Sequence, residues 1–159
     1  MTGLARSLPA LAVALAAMFF AIAAYINIVE QPARLVLGDA PLLQQWKLSY
    51  GMAIYLQATL AIVAGLAGIA QWWLQRDWRW LLGGLLMLAN WPWTLAVVAP
   101  VNAVLMATGP EAAGAVSRAL IERWADLHAA RTGLGLAATI LFLWACSCGP
   151  PIAARRPAA

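Results

Sequence analysis

Four stretches of this chain contain no Lys, Arg, Asp, Glu or His: Leu8–Val29, Leu48–Gln75, Trp80–Pro110 and Thr132–Ala154. Each reaches the roughly 20 residues that a helix, rising about 1.5 Å per residue, needs to cross a hydrocarbon layer. A segment inside lipid has no water to bond its backbone, so it must satisfy its own N–H and C=O groups, and an apolar run of this length does so as a helix. Composition agrees: 64% of residues are hydrophobic and 10% charged, against about 25% charged in soluble domains. A soluble chain this small exposes too much of itself to hide such a surface. The expected fold is all-α, a four-helix transmembrane bundle with antiparallel up-down topology, and residues 1–159 read as a single integral membrane domain.

The first run is longer than the core of a cleaved signal peptide, although Arg6 and Ala21-Ile22-Ala23 resemble the flanks of one; it is read as a retained span. Pro92 and Pro100 predict a kink in the third span and an end near Pro100. The segment Gln31–Lys47 reads as a loop between spans one and two, with Pro32 closing the turn after span one. From Gly109-Pro110 onward, Ser117, Leu120, Ile121, Trp124, Leu127, His128 and Arg131 recur at helical spacing. That pattern runs unbroken into Thr132–Cys148, so span four is one long helix that begins outside the membrane near Pro110.

Tryptophans mark the interfaces. Trp72, Trp73, Trp78 and Trp80 crowd the turn between spans two and three, and Trp46 and Tyr50 stand at the start of span two, where an amphipathic ring suits the headgroup level. The net charge of +4 comes from basic residues scattered among short loops, which is not a nucleic-acid footprint. One side of the membrane carries Arg6, Arg76, Arg79, Arg155 and Arg156, the other Arg34, Lys47, Arg118, Arg123 and Arg131. The first set lies in shorter segments close to helix ends, where basic residues weigh most. Both termini are therefore expected in the cytoplasm, the chain being a multi-pass protein of a bacterial inner membrane. Cys146 and Cys148 are spaced too tightly for an ordinary disulfide and read as small apolar fillers. Gly65, Gly68, Gly133 and Gly135 read as sites of close helix contact.

Polar residues collect at one end of the spans. Asn27 and Glu30 stand three apart at the end of span one. Asn90 and Thr94 share a face of span three, and Asn102 follows Pro100. Trp124, His128 and Arg131 share a face of span four. Polar side chains at membrane depth are expensive and turn toward the bundle interior or a cavity, or bond a neighbouring helix and fix packing. His128, the only histidine, suits proton transfer at neutral pH. Glu30 can orient the imidazole, share a metal with it, or pair with Arg131. One His and one Glu are too few for a metal site, and the sequence names no cofactor. It contains no phosphate loop, His-Glu-x-x-His or nucleophile elbow.

Val29-Glu30-Gln31-Pro32-Ala33-Arg34, Gln45-Trp46-Lys47 with Tyr50, Asn90-Trp91-Pro92-Trp93-Thr94, Pro100-Val101-Asn102 with Leu105, and Trp124 through His128 to Arg131 together resemble the anthrone oxygenase-like membrane proteins. The resemblance spans roughly residues 8 to 146. It implies a four-helix membrane protein, and its characterised fungal relatives convert anthrones, tricyclic phenolic ketones, into anthraquinones. The function so implied is oxygenation of a lipophilic aromatic or phenolic small molecule. His128 would be the base, Glu30 would orient it, and Arg131 and Asn102 would stabilise the oxyanion. Trp124 would stack on the ring, with Asn90 and Asn27 also binding. The alternative is a non-catalytic accessory or ligand-binding protein in which the polar cluster is structural. In both, the lipid bilayer is the partner.

Cysteines introduced into the 74–79 turn are expected to resist an impermeant thiol reagent applied to intact cells; strong labelling from outside would reverse the orientation.

Overall fold

The computed structural model describes residues 3–148, and the side chains of residues 7–147. The tail carrying Arg155 and Arg156 and the side chains of Arg6 and Cys148 lie outside the described residues. Helix α1 (Gly3–Tyr25) passes through a π-helical turn (Ile26–Glu30) into α2 (Gln31–Leu35). Then come α3 (Asp39–Gln75) and α4 (Trp78–Trp93), which passes through a second π-helical turn (Thr94–Val98) into α5 (Ala99–Ala107). A short 3₁₀ turn (Pro110–Ala112) precedes α6 (Ala115–Cys148). No strand occurs among the described residues.

Four helical spans result: Ser7–Leu35, Asp39–Gln75, Trp78–Ala107 and Ala115–Ser147. The protein itself buries only 28–39% of each span's most apolar window, so most of that surface faces outward. Leu66, Leu95, Ile140 and Trp144 stand exposed on it, a distribution that only lipid makes favourable. The chain is an integral membrane protein. Its contacts run packed spans in opposite directions: Gly65 meets Leu88 while Ile69 meets Gly84. Likewise, Phe19 meets Gly135 while Asn27 bonds Ala125, and Trp93 bonds Leu127 while Arg79 bonds Trp144.

Span four begins at Ala115, just past Pro110, as one unbroken helix. Two other boundaries differ from the sequence reading, both at prolines. Pro32 does not close a turn, and Pro100 does not end span three. Each is the second residue of the α-helical segment that follows a π-turn. A proline ring clashes with the carbonyl four residues back, here that of Ile28 or Ala96, the middle residue of each π-turn. In the π-turns the backbone bonds reach five residues back, from Gln31 to Ile26 and from Ala99 to Thr94. The wider register accommodates the ring and lets the helix continue. The supposed loop Gln31–Lys47 is therefore nearly all helix, with only residues 36–38 linking α2 to α3.

Packing differs between the two halves of the bundle. Around the 76–77 turn, small residues bring helices together. A Cβ on Gly84 would stand 2.8 Å from the Gly65 carbonyl oxygen, and one on Gly68 would stand 3.1 Å from Gly84 Cα. Gly135 lets Phe19 approach, whereas Gly133 faces open space and packs nothing. Alanines 12, 16, 23, 61, 64 and 138 complete this core around Phe19, Trp80 and Phe142. The other half is built from larger groups: Trp46, Trp124, Leu42, Leu105 and Ile121.

The tryptophans divide accordingly. Trp73 and Trp78 are exposed, as an interfacial belt requires, while Trp46 and Trp80 are core residues. Trp80 stacks on Phe142 and donates to Gln75. Cys146 faces outward and fills no core position. Arg79 is not a free loop charge. It is buried, donates to both carboxylate oxygens of Asp77 and reaches the Trp144 carbonyl, while Asp77 also accepts from the Arg79 backbone N–H as the cap of α4.

Asp77→Ala leaves that guanidinium buried without its counter-charge, and is expected to cost about 3–5 kcal/mol. Thermal denaturation in detergent would show a lowered Tm, and an unchanged Tm would mean that the pair is not structural.

Candidate functional site

The site starts from α6. Trp124 and His128, one turn apart, stack with ring centroids 4.8 Å apart. Trp46 of α3 meets Trp124 edge-on at 5.7 Å, and Tyr50 stacks flat on Trp46 at 5.0 Å. Four rings thus form a continuous ladder from Tyr50 to His128 that joins α3 to α6.

His128 is fully buried. Its Nδ1 lies 2.7 Å from Asn27 Oδ1. The orientation of Asn27 is set independently, because its Nδ2 donates to the Ala125 carbonyl at 3.0 Å. Oδ1 must then be the acceptor, and it also receives the Thr132 hydroxyl at 2.9 Å. In its neutral form the imidazole therefore carries its proton on Nδ1 and presents the lone pair of Nε2, a buried atom without a hydrogen-bond partner among the described residues. A neutral imidazole with a bare, oriented Nε2 is the form a general base requires.

Between α3, the α4–α5 span and α6 lies a cavity of about 90 Å³. Its walls are mostly apolar: Ile54, Ala58, Ala61, Leu95 and Val98, with the rings of Trp91 and Trp124. Its polar lining is Tyr50, Asn90, Thr94, Asn102 and Arg131. Asn102 Nδ2 donates to the Tyr50 hydroxyl at 3.0 Å, which leaves the phenolic proton free to donate elsewhere. Asn90 donates only to carbonyls of its own helix, at Leu86 and Met87, so it does not tie helices together. Arg131 is 9% exposed. Its guanidinium lies 5.6 Å from the Phe19 ring centroid, and its Nε has no hydrogen-bond partner among the described residues. A smaller hollow of about 20 Å³ adjoins the cavity and shares Tyr50, Ile54, Trp124 and Arg131 with it; His128, Gln57 and Ser49 line it too.

Arg131, Asn102, Asn90 and Trp124 thus meet on one cavity, and His128 stands on the adjoining hollow. Glu30 lines neither. It is paired with Arg34 and accepts from Gln45 at 3.1 Å, and it borders an outer groove with Tyr25 and Leu37. The π-turn explains the exchange of roles. In a regular helix Asn27 and Glu30 share a face, but the wider turn rotates them apart, so Asn27 meets α6 and Glu30 meets α3. Arg34, 2% exposed, donates to Ser49 at 3.0 Å and lies 5.9 Å from the Trp124 ring centroid. The sequence reading puts Arg34 among the loop charges and in the family motif but not at the site, and does not single out Gln57. The i,i+4 spacing of Glu30 and Arg34 is the available signal for the first; for the second it is an amide well inside an uncharged run. Among the described residues no three of His, Cys, Asp and Glu come together.

A family model described as anthrone oxygenase matches residues 46–141. No curated protein and no solved structure matches the chain.

The single histidine makes its tautomer directly observable. Nitrogen NMR of histidine-labelled protein is expected to show a protonated Nδ1 and a bare Nε2. Asn27→Leu should give a mixture of tautomers, and a wild-type spectrum with the proton on Nε2 would overturn the assignment.

Proposed function

This chain belongs to the anthrone oxygenase family, and on that premise we propose that it oxygenates a lipophilic phenolic aromatic molecule of the anthrone class, held in the cavity between α3, the α4–α5 span and α6. The observation that carries this reading is the meeting of Arg131, Tyr50 and Asn102 on the wall of a mostly apolar cavity. A fixed cation and fixed donors in a water-poor site are worth most where negative charge develops on an oxygen.

His128 Nε2 removes a proton from the ring methylene between the two aromatic rings. The electron pair spreads to the carbonyl oxygen, where Arg131 and the Tyr50 hydroxyl stabilise it and Asn102 holds Tyr50 in place. The carbanion gives its electrons to O₂, a C–O bond forms, and the peroxide takes the proton back from the imidazolium. Loss of the remaining methylene proton with cleavage of the O–O bond leaves a carbonyl and water. In balance, CH₂ and O₂ become C=O and H₂O, with no outside reductant. Trp124 offers its face to the ring system, and Asn27 keeps the base in its productive tautomer.

A bacterial inner membrane, with both termini cytoplasmic, is the proposed setting. The alternative role, a non-catalytic accessory or ligand-binding protein, draws on the Asn27–His128–Thr132 knot that ties α6 to the end of span one.

His128→Ala is expected to abolish anthrone oxidation, followed by O₂ uptake and anthraquinone absorbance, in protein that stays folded in detergent. Tyr50→Phe and Arg131→Gln should lower kcat by about 10²–10³, the usual loss for one oxyanion donor. Full turnover in His128→Ala would remove the base, and a lowered Tm with no turnover by the wild type would favour the structural role.

A further inference from the structure

We propose that the cavity takes its ligand sideways from the bilayer, through the gap between α3 and the α4–α5 span that Ala58 and Leu95 border. The inference rests on the reading of this cavity as a site for a lipophilic aromatic molecule and adds the route by which such a molecule arrives.

Two helices that touch in one half of the bundle part in the other. Near the 76–77 turn, Gly65 and Gly84 bring the backbones of α3 and α4 into contact. Toward the other half, where the third span passes through its π-turn, the two separate and the cavity occupies the space between them. Trp91 and Leu95 line the cavity and are also 39% and 62% exposed on the outer surface. One wall of the cavity is therefore also part of the surface that faces lipid.

Depth supports the same route. Residues 54–58 and 91–95 lie within the uncharged runs Leu48–Gln75 and Trp80–Pro110. Ile54 stands six residues inside the first run, about 9 Å along the helix axis. The opening is thus at the level of the acyl chains. The path toward the nearer aqueous face is closed: Trp46, Leu105 and Ile121 are fully buried above the cavity, and Lys47 ties α3 to the carbonyls of Met106 and Thr108.

Size points the same way. An apolar cavity of about 150 Å³ holds one benzene ring, and this one has about 90 Å³. A flat molecule of several fused rings cannot be enclosed by it. Such a molecule would bring its carbonyl to Arg131 and Tyr50 and the methylene across the same ring toward His128, and leave the ring system beyond it in the opening, between Trp91, Leu95 and the lipid. The access route and the substrate class thus imply one another: an apolar aromatic that partitions into the acyl layer and needs to present only its central ring.

Equilibrium binding does not depend on the path, so the test is kinetic. Full-length protein in phosphatidylcholine nanodiscs would be mixed with anthraquinone, which cannot turn over, and tryptophan quenching followed in both directions. Ala58→Phe narrows the opening and is expected to slow association by about 10-fold or more, within the 1–3 decades that rates of related complexes span; because Ala58 also lines the cavity, its effect on affinity is read separately from the dissociation rate. Leu95→Ala widens the opening and should speed association. An association rate unchanged in Leu95→Ala, or weaker binding in Ala58→Phe carried by dissociation alone, would overturn lateral entry while leaving the oxygenase reading in place. Absence of any anthraquinone binding by the wild type would instead remove the aromatic-ligand reading, and lateral entry with it.

Discussion

Hydrocarbon forms no hydrogen bonds, so a polar group carried into it must find its partner inside the protein. The interior of this bundle follows from that constraint. Asn27 bonds the Ala125 carbonyl, His128 and Thr132 at once. Gln31 donates to the Ile121 carbonyl, and Trp93 to that of Leu127. These contacts clamp both neighbouring spans to the first half of α6, the helix that carries His128 and Arg131. Not every buried group is satisfied. Half of the twelve buried side-chain atoms without a partner among the described residues belong to residues that line the cavity or the hollow beside it: Gln57, Asn90, Asn102, Trp124, His128 and Arg131.

The two π-turns serve the same region. Each lies just before a proline, whose ring crowds the carbonyl four residues back in a regular α-helix, and each sits beside the site. The first turns Asn27 toward α6 and Glu30 toward α3. The second separates Asn90 from Asn102 along a span whose exposed face carries Leu95. Single π-turns inside long helices are often found where function needs a helix face to be rotated. Here the rotation decides which carbonyl-bearing side chain reaches the histidine: a neutral amide, which fixes a tautomer, in place of a carboxylate, which would favour the imidazolium.

The residues that determine the fold were legible because their signal is one-dimensional. A run of twenty or more uncharged residues declares its environment whatever surrounds it, and Trp124, His128 and Arg131 announce a shared face through spacing alone. Glu30 shows where such reasoning stops. Its three-residue spacing from Asn27 implies a common face only if the helix is regular, and the π-turn makes it irregular. Arg79 shows a second limit. Counted as a loop charge it bears on orientation, yet it is buried against Asp77, two residues away. Trp46 and Trp80 mark a third: a ring near a span's end suits the headgroup level, but neighbours on other helices drew these two into the core.

By itself the sequence determined four membrane-crossing helices, the long unbroken fourth helix, and the gathering of polar residues toward one end of the bundle. Charge-free length, unbroken periodicity and residue type are local properties, and lipid converts them into structure with little choice left. Only the tertiary structure decided which amide holds the histidine, that Glu30 is taken by Arg34, that Tyr50 joins Asn102, and that a cavity opens where α3 leaves the third span. Those outcomes depend on helix rotation and on the distance between backbones. Both are set by contacts between residues far apart in the chain, such as Gly65 with Gly84 and Asn27 with His128, and no local pattern encodes them.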